Sequence, residues 1–300
     1  MKYLSVSEIA KKWGLSERTV RNYCAAGRIP DVFLTGKTWN IPESALRPER
    51  SNKKSNSPKN LLEFLRAEKA AGIRGGIYHK VQIELTYNSN HIEGSRLTHE
   101  QTRYIYETNT IGIRGETVNV DDIVETANHF RCIDMVIEQA KHPLSETFFK
   151  QLHLTLKNGT SDSRKNWFAV GGYKKLPNEV GGRETTPPEL VEQEIHFLLR
   201  SYNAQREKSL EELLAFHYAF ESIHPFQDGN GRVGRLILFK ECLRNGIVPF
   251  IIDEELKMFY YRGLHEWKQE RGYLRDTCLA AQDKFKAYLD YFRIPYEEQE

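Results

Sequence analysis

The sequence predicts a mostly α-helical protein in two domains, on three observations. From Leu61 onward apolar residues recur at three- and four-residue steps, interrupted by one glycine-rich stretch near 168–183 that reads as a hairpin or loop. Residues 48–59 hold no apolar side chain and are rich in Pro, Ser, Asn and Lys, the composition of a linker. Ahead of them lie two short capped helical patterns and one alternating pattern. At 300 residues the chain can bury two cores. The expected boundaries are 1–48 for the small domain, 49–60 for the linker and 61–295 for the large one.

In the small domain Ser5-x-x-Glu8 opens a helix as a capping box, followed by apolar Ile9, Ala10 and Trp13 and then Gly14. Ser16 caps a second helix through Thr19, Val20 and Tyr23 that ends near Gly27. Two helices joined by a tight glycine-containing turn form a helix-turn-helix, whose second helix faces the major groove of DNA. Arg18, Thr19, Arg21 and Asn22 are then the candidate DNA contacts. Ile29 to Ile41 alternates around Thr35-Gly36-Lys37 and reads as a hairpin wing, with Lys37 a further contact. Residues 1–59 carry twelve Lys/Arg against five Asp/Glu, whereas the remainder carries 31 against 36. The near-neutral total hides a basic head, which points to duplex DNA. A protein-docking or dimerisation module is the competing reading. Over residues 3–46 the arrangement is similar to winged helix-turn-helix domains of the MerR and excisionase type.

The large domain holds the chemistry. Leu213, Phe216, Phe220 and Ile223 mark the buried stripe of a helix, which Pro225 ends by biasing His224 out of the α region. Val233, Leu236, Ile237 and Leu243 restart a helix that runs to Asn245-Gly246. The loop 227–231 therefore lies at a helix N-terminus, where free N–H groups and the helix dipole attract anions. Gly229 and Gly231 permit close backbone approach to a phosphate, and Asn230 is free to adopt an unusual backbone angle or donate its amide. Asp228 is a hard oxygen ligand suited to Mg²⁺. Arg232 and Arg235, three apart, can aim at one anion from one face. His224 can take a proton from a hydroxyl at neutral pH.

The run His224-Pro225-Phe226-Gln227-Asp228-Gly229-Asn230-Gly231-Arg232-Val233-Gly234-Arg235 resembles the Fic-family signature HPFx(D/E)GNGRxxR at every specified position. The resemblance implies a helical Fic domain and a Mg²⁺-dependent protein adenylyltransferase with ATP as co-substrate. In such an enzyme the histidine deprotonates a Ser, Thr or Tyr hydroxyl of a target protein, or of the enzyme itself. That hydroxyl attacks the α-phosphate and pyrophosphate leaves. The first arginine holds the β/γ-phosphates and the second the γ-phosphate.

Upstream, Ser89-x-x-x-Glu93-Gly94 looks like the Fic inhibitory motif, and the stretch 84–97 resembles the helix end that carries it. Ser89 and Glu93 share a face if helical, and Gly94 is a natural stop. The resemblance implies that Glu93 pairs with Arg235 and takes the place of the γ-phosphate. In the family the segment 171–182 is a β-hairpin flap that pairs with the target peptide; Val180, Gly181 and Gly182 are the flap residues here. An arginine often found near the flap's start is replaced by Lys174 or Lys175. Tyr260 and Tyr261 fall where the family often has aromatics near the adenine, although paired aromatics also read as core.

Four widely spaced cysteines without CxxC spacing argue against zinc and fit reduced thiols. No apolar run reaches membrane length and no signal-peptide core follows Met1, so a cytoplasmic protein is expected. Of ten histidines only His224 has chemical company, and His217 reads as a packing residue. Three activities remain open. One is AMP transfer, another is AMP removal with Glu93 aligning a water, and the third is nucleotide sensing by a DNA-binding regulator. Phosphate transfer, as in the Doc branch, fits Asp228 and Gly231 less well. Helix-turn-helix heads often act in pairs, so a homodimer is admissible.

Overall fold

The computed structural model describes residues 2–36, 38–48, 58–112, 115 and 117–297. The chain divides into two compact units, Met1–Ser57 and Pro58–Glu300. Lys37 and most of the expected linker lie outside the described residues.

The first unit opens with strand β1 (Tyr3–Leu4) and helix α1 (Val6–Trp13). Ser5 and Glu8 close the capping box at both ends, and Gly14 ends the helix in the left-handed region. Ser16 caps α2 (Glu17–Ala25) by accepting from the Thr19 backbone N–H. Strands β2 (Phe33–Thr35) and β3 (Thr38–Pro42) form the expected wing, and the antiparallel sheet runs β1-β3-β2. Ile9, Trp13, Val20, Cys24, Ile29 and Ile41 fill the core between helices and sheet.

The second unit is helical: α3 (Leu61–Ala71), α4 (Ile77–Ile92), α5 (His99–Thr108), α6 (Val120–Gln139) and α7 (Glu146–Lys157) precede the glycine-rich stretch. After it come α8 (Val191–Ala204), α9 (Leu210–Ile223), α10 (Asn230–Asn245), α11 (Glu254–Glu266) and α12 (Gly272–Tyr291). Helix α10 is buried on nearly every side and packs against α4, α6, α7 and α9. A helix apolar on one stripe belongs at a surface, and one surrounded by its neighbours belongs at the centre of a bundle. The main core gathers Phe149, Leu152, Phe216, Phe220, Val233 and Leu236 around it.

The hairpin is shorter than expected. Only Glu179–Val180 (β4) and Arg183–Glu184 (β5) pair, and the stretch before them is irregular. Gly181 and Gly182 both have positive φ, the requirement of a two-residue type I′ turn, so this is where the two glycines are needed. Lys174 explains the irregular part. Its backbone N–H donates to Pro225 O and its buried Nζ donates to Asn178 Oδ1 and Thr185 Oγ1. Asn178 Nδ2 donates in turn to Phe226 O. The Lys174 backbone N–H and the Asn178 side chain thus fasten the hairpin's base to the 225–226 loop.

Candidate active site at the start of helix α10

His224 follows the last residue of α9 in the left-handed region, φ 52° and ψ 62°. The helix ends there as expected, but in a conformation costly for a non-glycine residue. The imidazole Nδ1 lies 3.3 Å from Glu221 O, which fixes the tautomer with the proton on Nδ1 and leaves Nε2 as the acceptor. Burial, partly offset by that carbonyl, lowers its pKa to about 4, so the ring is neutral at pH 7.

The loop after it is closed from within. Phe226 N–H donates to Asn230 Oδ1 and Asn230 Nδ2 donates to Phe226 O, both at 2.8 Å. Asn230 is thus the first residue of α10, without the unusual backbone angle the sequence allowed it, and its amide donates to its own loop. Gly229 supplies the unusual angle instead, with φ 81°. His153 on α7 supports the loop from below, against the expectation that only His224 has partners. Its Nδ1 accepts from Gly171 N–H, its Nε2 donates to Asp228 O, and its ring stacks on Phe226 at 4.1 Å.

The two arginines diverge rather than converging on one anion. Arg235 donates through Nε to Ser89 Oγ at 3.0 Å and through one terminal nitrogen to Ser89 O and to Glu93 Oε1, the latter at 2.7 Å. Glu93 is the residue that ends α4, and Gly94 follows with φ 96°. The carboxylate fills a notch that exists because residue 231 has no side chain: a Cβ on Gly231 would collide with Glu93 Oε1. Arg232 instead pairs with Glu125 Oε2 on α6 and with Asp228 Oδ2. Lys157, at the end of α7, contacts Glu125, Asp162 and the same Asp228 oxygen at 2.5, 3.0 and 2.7 Å. Burial works to raise the Asp228 pKa, but Arg232 and Lys157 outweigh it and hold the carboxyl well below the usual range.

Tyr260 is buried with its hydroxyl hydrogen-bonded to His217 Nε2 at 2.6 Å, which assigns both to the interior. Tyr261 is exposed, and its hydroxyl donates to Ile92 O at the end of α4. Val180, Gly181 and Gly182 are exposed at the hairpin tip, and Arg183 bonds His265 at the end of α11. In the first unit Arg18, Arg21 and Asn22 are exposed on α2, while Thr19 is half-buried with its hydroxyl bonded to Ser16. All four cysteines are buried and free.

Sequence reasoning missed Glu125, Lys157, Asp162, His153 and Glu221. The spacing His153-x-x-x-Lys157 puts two polar groups on one face of α7, the only local hint. Glu221 is half-buried, with its Oε1 enclosed against Gly234, and this desolvation raises its pKa to about 8. His217, with Arg235 and Glu221 facing it, and His129, near Arg232 and Arg235, are both held neutral, burial lowering each to about 3. The stability consequence has a definite sign. Below about pH 6.5 the unfolded chain binds protons that these two histidines refuse in the fold, so stability falls with pH. Between about pH 4.5 and 8 Glu221 keeps a proton that the unfolded chain has lost, so stability falls as pH rises. Each group contributes at most about 1.4 kcal/mol per pH unit, and His153 and His224, both lowered to about 4 by burial, add to the acid side, which places the expected optimum at about pH 7. Urea unfolding followed by circular dichroism from pH 5 to 8 checks this; a midpoint still rising at pH 8 contradicts it.

Against known proteins, residues 143–241 match the Fic/DOC family and residues 3–47 match a helix-turn-helix domain family. The chain carries a Fic/DOC-family domain. The Fic protein adenylyltransferase of Drosophila grimshawi is 27% identical over 186 residues, which cover 59% of this chain and 36% of that protein. The fic-1 protein adenylyltransferase of Caenorhabditis briggsae is 26% identical over 184 residues, 60% of this chain and 35% of that protein. The chain thus spans about a third of the length of these curated relatives. A Fic-domain-containing signalling protein from Bacteroides thetaiotaomicron superposes with a TM-score of 0.63 at 25% identity, over 82% of this chain and 96% of that one. Fic-1 of Caenorhabditis elegans gives 0.60 at 19% identity, over 77% and 72%, and speaks for the fold. The signature segment of the Fic/DOC domain, from His224 to Arg235, lies inside the matched range and at the N-terminus of its central helix. No helix among the described residues is long and apolar enough to cross a membrane.

Proposed function

We propose that the Fic/DOC domain is a protein adenylyltransferase that moves AMP from ATP to a target-protein hydroxyl and is restrained by its own Glu93. The observation that carries this reading is the Arg235–Glu93 pair beside a neutral His224 at a helix N-terminus. Three groups suited to proton transfer, phosphate binding and phosphate mimicry, two from the 224–235 run and one from the end of α4, meet at one site, and the relatives named above bear that activity in their names.

His224 Nε2 accepts the proton of the attacking hydroxyl as its oxygen forms a bond to the α-phosphorus. The bond from that phosphorus to the bridging oxygen breaks, and pyrophosphate carries away the electron pair. The first-turn N–H groups of α10 face the phosphates, and Arg235 takes the γ-phosphate once Glu93 withdraws. Asp228 suits a hard divalent cation: its side chain is 49% exposed, and both of its cationic side-chain partners are on Oδ2. Mg²⁺ bound there would neutralise charge on the phosphate oxygens. Tyr261 is better placed than Tyr260 to meet an adenine, and the exposed hairpin edge at Val180 is available for strand pairing with a peptide. ATP labelled at the α-phosphate tests the reading. Label should appear on protein only when His224 is present; loss of label from premodified protein would indicate AMP removal instead.

The helix-turn-helix unit is proposed to bind duplex DNA through Arg18, Arg21 and Asn22, which stand exposed on one helix that its core leaves free. Replacing Arg18 and Arg21 by Ala should weaken binding about tenfold or more and flatten its salt dependence by about two counterions. Unchanged binding in both respects leaves a docking role for this unit.

A further inference from the structure

Asp228 does not stand alone. Its Oδ2 is gripped by Lys157 and Arg232, and both of those cations are in turn held by one carboxylate, Glu125, which gives Oε1 to the first and Oε2 to the second. We propose that Glu125 is a positioning residue for Asp228, fixing through Lys157 and Arg232 which carboxylate oxygen faces the divalent cation. The inference rests on reading Asp228 as the metal-facing carboxylate.

Glu125 and Glu93 each pair with an arginine of the signature, yet they are built for different tasks. Glu93 ends a helix, precedes a glycine with positive φ and is 29% exposed, so it can leave. Glu125 lies within α6, is 12% exposed and bridges two cations that are 5% exposed or less. Withdrawing it would strand two buried charges, which is strongly unfavourable. Glu125 therefore stays in place when nucleotide arrives, and so do its two cations. With Oδ2 occupied from behind, the other oxygen of Asp228 is the one left for a metal.

The five charges Glu125, Asp162, Asp228, Lys157 and Arg232 sum to −1, which allows positioning to be separated from charge alone. If only net charge governed metal binding, Glu125→Gln would weaken it and Lys157→Met would strengthen it. If Glu125 positions Asp228 through Lys157, both changes weaken it. Mn²⁺ binding in the presence of ADP, read on the full chain from loss of the free-ion electron paramagnetic resonance signal, measures this without turnover. Both variants should bind at least tenfold more weakly than the unsubstituted protein, while Asp162→Asn, which removes equal charge but meets Lys157 and Lys165 and not Arg232, should shift less than threefold. Thermal melting identifies any variant that fails to fold, and the remaining one decides. Tighter binding by Lys157→Met, or unaltered binding by Glu125→Gln, overturns the proposal while Asp228→Asn still weakens the ion. If Asp228→Asn binds Mn²⁺ normally, the metal reading falls and this inference with it.

Discussion

Glu93→Gly is expected to raise the rate at which label from α-phosphate-labelled ATP reaches protein by about ten- to a hundredfold. The substitution removes one charge-assisted bond to Arg235, worth roughly 1.5–3 kcal/mol when a charged partner is involved, and empties the notch over Gly231. Arg235 stays oriented, because Ser89 still accepts from its Nε and from the same terminal nitrogen that Glu93 contacts. The γ-phosphate then meets an arginine already aimed at it. Glycine should cost little fold stability, since Glu93 caps the end of α4 and its side chain belongs to no apolar cluster. An unchanged rate at saturating ATP and at low ATP would show that Glu93 is not a brake.

His224→Ala in the Glu93→Gly background is expected to lower that rate by about 10²–10⁴, the range for losing a positioned general base. Binding should survive, because the phosphate-facing groups begin at Asp228 and none of them bonds the imidazole. Affinity for ATP measured by calorimetry should therefore stay within about threefold while transfer collapses. With His224 in place, the acid limb of the rate should lie well below pH 6, since burial already holds the ring neutral down to about pH 4. A variant that transfers AMP at the parental rate would remove His224 from the chemistry.

The helices were legible in the sequence because their signals are local. Caps such as Ser5 and Ser16 and stops such as Gly246 lie within a few residues of what they terminate. The signature was legible for the same reason: its chemical groups are contiguous. The partners were not. Glu125 meets Arg232 across 107 positions, and nothing in the run Asp121, Asp122, Glu125 distinguishes an inward acid from helix-start acids. Glu93 meets Arg235 across 142 positions and was reached through family resemblance, not from spacing. The acceptor of the Asn230 amide was not legible, because an amide that braces its own loop looks the same in sequence as one that reaches out. Tyr260 and Tyr261 differ only in which face of α11 they occupy, and Tyr260 shares the buried face with Gly263 three residues on.

The account turns on one exclusion: Glu93 and a γ-phosphate cannot both occupy Arg235. Calorimetric titration of ATP and of ADP, each with Mg²⁺, into the unsubstituted protein and into Glu93→Gly measures it directly. The account expects Glu93→Gly to tighten ATP by at least tenfold and ADP by less than threefold, because only ATP carries the phosphate that Glu93 displaces. Equal tightening of both nucleotides, or none, would contradict it.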